Sequence, residues 1–196
     1  VFFMQHIKEI KKICQMICFR CSHLLIDKEQ HAHVIEMNPT DRWEYVFKEC
    51  TKVTRCGAST NDGCGCLQPK NVRLVDMATL MGEWESDEKG EKVFKQLTPE
   101  VLLNNFRRIP DDDISFMGFS PLWSRPEWMI CQVLPVPPPA VRPSVKHDAQ
   151  QRSEDDLTHI YTHIIRTNND LKEKIENNVS PNVIEKETEN LQYFIA

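Results

Sequence analysis

Five prolines within nine residues, at positions 135–143, restrict this chain more than any other feature. Proline lacks an amide hydrogen and has a fixed φ, so the segment is held near the polyproline II conformation. The preceding residues 128–134 (WMICQVL) form a short apolar run with β-branched members, which predicts a buried strand that begins at Trp128 as a core anchor. We therefore predict a stiff arm that leaves a packed core.

Basic side chains follow the arm on a segment without apolar periodicity. They are Arg142, Lys146, His147 and Arg152. A stiff arm that holds a basic loop away from a core predicts a surface for contact with another molecule. The alternative is an ordinary proline-rich connector, and the residues by themselves leave both interpretations open.

A long helix is predicted after the basic segment. Ser153 precedes three acidic residues and resembles a capping box, in which a hydroxyl and a carboxylate satisfy the free amides of a helix start. From there the helix is expected to run to about Asn178. Leu157, Ile164 and Leu171 repeat every seven residues and give it one apolar face. A second helix is predicted over residues 183–196.

Seven of the eight cysteines lie between Cys14 and Cys66. Cys18 and Cys21 form a C-x-x-C pair, a spacing that lets two thiolates bind one tetrahedral ion across a tight turn. The later cysteines are less regular, since Cys56 is followed by a glycine-rich segment with two more, at 64 and 66. Glycines permit the tight turns that bring a sulfur into a ligand position. The cluster predicts a structural zinc site.

Other interpretations of the cysteines fit less well. Disulfide frameworks are typical of small secreted domains, and nothing in the sequence points to secretion. Redox C-x-x-C pairs normally open a helix beside a βαβ unit, a pattern that is absent from the sequence. By chemistry alone, His23, His31 and His33 are alternative zinc ligands. Cys14 and Cys50 are expected to be small buried hydrophobic residues.

The remaining pattern is mainly helical with short strands. Residues 4–13 predict an amphipathic helix, Asn38 begins a capped helix, and residues 72–97 predict a β-hairpin with its turn at 87–90. Thr98 followed by proline is a helix start, after which Leu102, Phe106 and Ile109 form the buried stripe. The expected fold class is α+β with a zinc-binding insertion.

Three consecutive aspartates, Asp111, Asp112 and Asp113, invite comparison with a magnesium site. Adjacent residues on a helix point about 100° apart, so these carboxylates cannot converge on one ion. They follow Pro110 and precede apolar residues, which predicts first-turn acids stabilised by the helix dipole.

Composition limits the possible functions. A chain of 196 residues fits one large or two small domains, and a net charge of −5 argues against a protein that coats nucleic acid with general positive charge. Any contact with nucleic acid must therefore be local. Apolar runs stay well short of the roughly 20 residues that a membrane span needs, and the first residues lack the order of a signal peptide.

The proline-rich arm and the segments on either side of it closely resemble a known family. WMICQVLPVPPPAVRPSV followed by RSEDDLTH is similar to the clamp region in the largest subunit of multisubunit DNA-directed RNA polymerases. The resemblance is to the RNA polymerase II, archaeal and large-DNA-virus branch. It extends over nearly the whole chain, from IKKICQMICFRC to ENLQYFIA.

The resemblance implies sites and cofactors. The family's four zinc-binding cysteines carry over onto Cys18, Cys21, Cys56 and Cys64, and the family usually has another residue at the position of Cys66, which leaves the fourth ligand open. The loop called the lid, which helps to part the transcript from the template, falls at about 143–155. Its implied nucleic-acid contacts are the basic side chains Arg142, Lys146, His147 and Arg152. The catalytic aspartates that hold Mg²⁺ belong to a motif that this chain lacks, so the chain is expected to do no chemistry by itself.

The resemblance also implies an organisation and partners. A clamp-core helix is expected at 1–17, a zinc-binding insertion at 18–70, and clamp core with arm, lid and C-terminal helices at 71–196. Expected partners are other polymerase subunits, the DNA template and the RNA transcript, without a membrane, in the nucleus or in a virus that works in host cytoplasm or virion. The chain is expected to be a piece of a longer protein. The rival hypothesis is a free-standing zinc-binding module whose proline arm is a ligand for other proteins.

Overall fold

The computed structural model describes residues 1–58, 63–75, 79–85, 91–146 and 152–196. Its contacts divide the chain into a larger unit, Phe2–Ile130, and a smaller unit that consists of Val1 and Cys131–Ala196. The predicted division at 17/18 and 70/71 concerns functional parts of a polymerase subunit and stays a prediction.

Helices and one antiparallel sheet build the larger unit, which confirms the α+β fold class. In chain order its elements are a 3-10 turn at Met4–His6, α1 at Ile7–Met16, a 3-10 turn at Ala32–Glu36, α2 at Pro39–Cys50, β1 at Asn71–Leu74, β2 at Leu80–Glu85, β3 at Lys92–Leu97, α3 at Pro99–Arg107, α4 at Asp111–Phe116 and a 3-10 turn at Pro126–Met129. The strands lie in the order β1-β2-β3, with both pairs antiparallel. The predicted hairpin is thus β2 with β3, and its turn at 87–90 lies outside the described residues.

The helix starts of this unit follow from the sequence. The Asn38 side chain accepts hydrogen bonds from the amides of Thr40 and Asp41, each at 3.0 Å, and Pro39 occupies the first helical position of α2. At α3, the Thr98 hydroxyl accepts from the Val101 amide at 3.3 Å. Both predicted caps are confirmed.

The core of the larger unit is formed by helix faces at the predicted spacing. Ile10 and Ile13 of α1 and Leu102 and Phe106 of α3 are fully buried. Each such side chain stabilises the fold by about 1.5–3 kcal/mol relative to an exposed position. The core continues past the end of α1, because Ile17 and Cys18 are also buried in it, so the first cysteine of the pair is anchored on the core.

The predicted strand at 128–134 is wrong. Pro126 has the fixed φ that suits the first position of a helical turn, and Pro126–Met129 is a 3-10 turn. Only Ile130 makes an isolated antiparallel bridge, with Phe2. Trp128 is 56% exposed and is not the predicted core anchor, and Val133 is also exposed.

The smaller unit contains the arm, a short hairpin and two helices. Its described elements are β4 at Val145–Lys146, β5 at Arg152–Ser153, α5 at Asp156–Glu176 and α6 at Pro181–Ile195. α5 and α6 pack on each other, with Ile164 and Leu191 buried, the His163 ring stacked on Phe194 at 5.2 Å, and an ion pair between Lys174 and Glu187.

The predicted cap of α5 is two residues too early. Ser153 lies in β5, and Asp155 caps the helix by accepting from the Leu157 amide at 2.9 Å. Within the acidic run after Ser153, the Asp155 carboxylate is the acceptor that lies two residues closer to the apolar repeat. The two predicted C-terminal helices are otherwise confirmed.

No helix among the described residues has the length and apolar character needed to cross a membrane.

Candidate functional site

Four cysteine sulfurs meet at one point of the larger unit. The Sγ atoms of Cys18, Cys21, Cys56 and Cys64 all lie within 4.8 Å of one another. Cys18 Sγ is 3.4 Å from Cys64 Sγ, and Cys21 Sγ is 3.6 Å from Cys56 Sγ. A tetrahedral zinc ion with Zn–S bonds of about 2.3 Å needs sulfur separations of about 3.8 Å. The group could hold a metal ion, and its geometry and donor type are consistent with zinc.

The first cysteine pair lies on a tight turn that directly follows α1. The Cys18 amide donates to the His23 carbonyl at 2.9 Å, and the Ser22 amide donates to the Cys18 carbonyl at 2.9 Å. Ser22 adopts a positive φ of 63°, which closes the turn. These bonds direct both sulfurs to the same side.

The second pair depends on a close approach of two glycines. A Cβ atom on Gly63 would lie 2.0 Å from the Cα of Gly57, so no larger residue fits at this crossing. The Cys56 amide donates to the Cys66 carbonyl at 3.0 Å, and the Gly65 amide donates back to the Cys56 carbonyl at 3.1 Å. The glycine-rich segment thus folds Cys64 over Cys56.

Cys66 lies outside the group of four. Its thiol points towards the carbonyl of Leu67, at 3.6 Å. Between the two candidates that spacing left open, the structure brings Cys64 into the cluster.

Hydrogen bonds around Cys18 favour a thiolate. Burial by itself raises the pKa of this thiol, but hydrogen bonds from the Cys21 and Arg20 amides and from the Cys64 and Cys21 thiols outweigh it, and the pKa falls to about 7. Burial dominates at Cys56 and Cys21 and raises the pKa of both. A metal ion would reverse that preference, because a coordinating thiol loses its proton.

Gln68 supports the cluster, although no sequence pattern singles it out. Its buried amide donates to Cys18 Sγ at 3.3 Å and to the Cys66 carbonyl at 2.7 Å, while its carbonyl oxygen accepts from the Phe19 amide at 3.3 Å. The side chain therefore ties the two cysteine segments together and orients one ligand, a common arrangement around bound metals.

The other cysteines and the histidines are used elsewhere. Cys14 and Cys50 are buried as predicted, and burial raises the pKa of Cys50 to about 12. His23 lies 3.6 Å from Asp113, and His31 Nδ1 is 3.1 Å from the Tyr45 hydroxyl. Neither imidazole belongs to the four-sulfur group.

The three aspartates occupy the first turn of α4, as predicted, and diverge. Asp111 pairs with Arg125 at 2.5 Å. Asp113 is buried, accepts from the Leu24 amide at 2.9 Å and pairs with Lys28 at 2.7 Å. These bonds give the outer two carboxylates separate structural tasks.

The predicted nucleic-acid contacts lie in the smaller unit. Lys146 of β4 is directly opposite Arg152 of β5, and both are exposed. Arg142 lies at the base, where Nε donates to the Pro137 carbonyl at 3.0 Å and Nη1 to the Thr158 hydroxyl at 3.2 Å. His147 lies outside the described residues.

The whole chain is similar to proteins of one known family. Residues 1–196 match the family RNA polymerase Rpb1, domain 1. The chain is also 37% identical, over 96% of its length, to the DNA-directed RNA polymerase subunit Rpo1N of Methanocaldococcus jannaschii, and spans 14% of the length of that relative. The chain therefore belongs to the RNA polymerase Rpb1 domain 1 family, from the N-terminal part of the polymerase's largest subunit.

Proposed function

We propose that this chain is the clamp part of a DNA-directed RNA polymerase, which holds the DNA and the RNA–DNA hybrid during transcription. The relative's name supports the polymerase assignment. Its partners would be other polymerase subunits, the template and the transcript. Nucleotidyl transfer with Mg²⁺ belongs to another part of the enzyme, and the expected location is the nucleus, or host cytoplasm or virion for a viral enzyme.

The observation that carries the nucleic-acid role is the position of Lys146 directly opposite Arg152 on the two strands. Side chains directly opposite each other on two antiparallel strands lie on the same face about 4.5–5.5 Å apart at Cβ, where like charges repel. Within the described part of the chain, neither forms a salt bridge. A phosphate between the two cations would remove the repulsion, and such contacts position nucleic acid without reading its sequence. We therefore assign the hairpin β4–β5 as the lid.

The arm supports this assignment because it is fixed at several points. The Tyr161 hydroxyl donates to the Pro135 carbonyl at 3.1 Å, and Arg142 holds the Pro137 carbonyl. Amides of Val141 and Arg142 close a turn onto Pro138 and Pro139. Preordering of this kind reduces the conformational entropy that binding would otherwise cost. Arg142 thus orients the arm, and its Nη2 remains the donor that we assign to nucleic acid.

The four-cysteine cluster has a structural role in this proposal. Zinc bound by Cys18, Cys21, Cys56 and Cys64 would link α1 to the segment before β1 and contribute folding free energy. The chain's own residues already preorganise the ligands, through the glycine crossing and Gln68.

The proposal is tested by Lys146→Ala combined with Arg152→Ala in the assembled polymerase. Loss of two phosphate contacts should make elongation complexes dissociate faster. It should also make the dependence of stability on salt shallower by about 0.7–0.9 per contact in the log–log slope, with the largest defect at low salt. Lys172→Ala with Lys186→Ala removes the same charge from exposed helix positions and is the control. Equal effects of both double variants would contradict the assignment.

The rival, a free-standing zinc module with a proline ligand arm, is favoured less because carbonyls of the arm are already bonded within the same unit. A reading frame that continues past Ala196 into a catalytic aspartate motif would support the polymerase, and one that ends there would support the module.

A further inference from the structure

Cys66 is a fifth thiol beside the four-cysteine cluster. It follows the ligand Cys64 after a single residue, Gly65, and is half-buried. Its thiol donates to the Leu67 carbonyl at 3.6 Å and stays outside the group of four sulfurs. A metal ion held by that group would therefore leave the Cys66 sulfur unbound.

Burial divides the four clustered cysteines into two kinds. Cys18 is fully buried and Cys56 is 5% exposed, whereas Cys21 and Cys64 are half-buried. A coordinating thiol loses its proton, so a bound metal keeps all four as thiolates. Cysteine oxidation follows thiolate character together with exposure. A dissolved oxidant would therefore reach Cys21 and Cys64 before the other two.

Of these two ligands, Cys64 is the one with an extra thiol two residues away. A fully extended chain would place the Cα atoms of Cys64 and Cys66 about 7 Å apart, slightly farther than a disulfide usually spans. Gly65 shortens this distance, because its positive φ of 71° bends the chain. A Cβ atom on Gly65 would meet no atom within 4 Å, so the turn has room to adjust.

The Cys66 side chain is also free to turn towards Cys64. Its backbone is fixed, since its carbonyl accepts from the Cys56 amide at 3.0 Å and from Gln68 Nε2 at 2.7 Å. The side chain itself is held only loosely by the Leu67 carbonyl, because a thiol is a weak donor. Rotation of one side chain would therefore bring the two sulfurs together.

Cys18 is the nearest rival for Cys64, since their sulfurs are 3.4 Å apart. In a metal-bound cluster, however, Cys18 is itself a ligand. Hydrogen bonds from the Arg20 amide at 3.4 Å and from Gln68 Nε2 at 3.3 Å also hold its sulfur in place. Cys66 has neither constraint, which favours it as the thiol that reacts with an oxidised Cys64.

We propose that Cys64 and Cys66 form a disulfide when the protein meets a hydroperoxide, and that the four-cysteine cluster then releases its metal. The Cys64 thiolate attacks the O–O bond, which gives Cys64 sulfenic acid and hydroxide. The Cys66 sulfur displaces the new hydroxyl group, which leaves as water with the Cys66 proton. Two electrons pass from the two sulfurs to one peroxide. The three remaining thiolates leave the tetrahedral site open.

This proposal rests on the structural role of the cluster and is independent of the lid assignment. Disulfides inside cells are typically transient and redox-sensing, and redox-sensing cysteines commonly lie beside a second cysteine that resolves the sulfenic acid. Cys64 and Cys66 have that arrangement, with the first in the metal site and the second next to it.

The test treats the assembled polymerase with hydrogen peroxide and measures released zinc and the state of each cysteine by fragmentation mass spectrometry. In the natural chain, zinc loss should accompany a Cys64–Cys66 disulfide, and a thiol reductant with added zinc should restore about one ion to the cluster. Cys66→Ala should lose this recovery, because unresolved sulfenic acid at Cys64 proceeds to sulfinic acid, which a thiol does not reduce.

Cys131→Ala is the matched control. It also removes a half-buried thiol that donates to a backbone carbonyl, that of Val133 at 3.4 Å, but in the other unit. Before treatment, both variants should hold as much zinc as the natural chain, since neither thiol belongs to the group of four. After treatment, the Cys131 variant should match the natural chain.

Zinc loss with a Cys18–Cys64 disulfide in the natural chain would overturn the proposal. So would equal recovery of zinc in the natural chain and in Cys66→Ala, or a cluster that keeps its zinc in peroxide. An untreated polymerase whose zinc content is unchanged by Cys64→Ala would overturn the structural role of the cluster as well, so the two failures can be told apart.

Discussion

Cys64 and Cys66 are two residues apart and have different surroundings. The Cys64 sulfur lies 3.4 Å from Cys18, while the Cys66 thiol points at a backbone carbonyl. Sequence spacing predicted that a cluster exists but could not choose between them. The choice depends on the crossing of Gly57 and Gly63 and on the bonds between the Cys56 and Cys66 segments, which are tertiary features. Gln68 could not be predicted from the sequence for the same reason, because its bonds to the two cysteine segments are also tertiary.

Cys64→Ala should lower bound zinc well below one ion per chain, because three thiolates leave the tetrahedral site open. Cys66→Ala is the matched control and should retain about one zinc per chain. Metal analysis after gel filtration measures both. Zinc loss in the Cys66 variant with retention in the Cys64 variant would show that the fourth ligand is assigned wrongly.

Asp113→Ala should lower the free energy of unfolding by about 2–4 kcal/mol, because it leaves the Leu24 amide without its buried acceptor and Lys28 without its partner. Asp112→Ala changes an exposed neighbour in the same turn and should cost no more than about 0.5 kcal/mol. Urea unfolding of the two variants gives the comparison. Equal stability would contradict a structural role for Asp113.

At the scale of elements, prediction succeeded where a local signal and the tertiary structure agree. Asn38 and Thr98 cap the helices that their sequences predict, and the buried stripe of α3 follows its spacing. Prediction failed at 128–134, because two features outside the apolar run itself prevent a strand there. Pro126 starts a helical turn, and in the described part of the chain residues 132–143 contain no strand.

Removal of zinc should loosen the elements that carry the cysteines and leave the helix pair of the other unit unchanged. Structural zinc contributes roughly 10–16 kcal/mol of folding free energy in zinc-finger peptides. Much of such a contribution would be lost here when the metal is removed. Hydrogen exchange with and without a strong chelator should show faster exchange at the amides of Cys56 and Gly65, with α5 as the internal control. Protection that a chelator leaves unchanged would exclude a folding role for the metal.

For the whole molecule, local charge matters more than net charge. The chain carries a formal charge of −5, yet Lys146 and Arg152 face each other on an exposed hairpin. Composition limits any nucleic-acid contact to a local surface, but it could not place these two cations opposite each other, since the register of β4 and β5 follows from the fold. The family match and the hairpin together lead to the clamp proposal.

Crosslinking from position 146 tests this proposal most directly. A photoreactive amino acid replaces Lys146 in the assembled polymerase, and stalled elongation complexes with labelled template and transcript are irradiated. Position 172, exposed on α5, is the matched control. If β4–β5 is the lid, position 146 labels the transcript or the template and position 172 does not. Labelling of protein alone from position 146 would contradict the account.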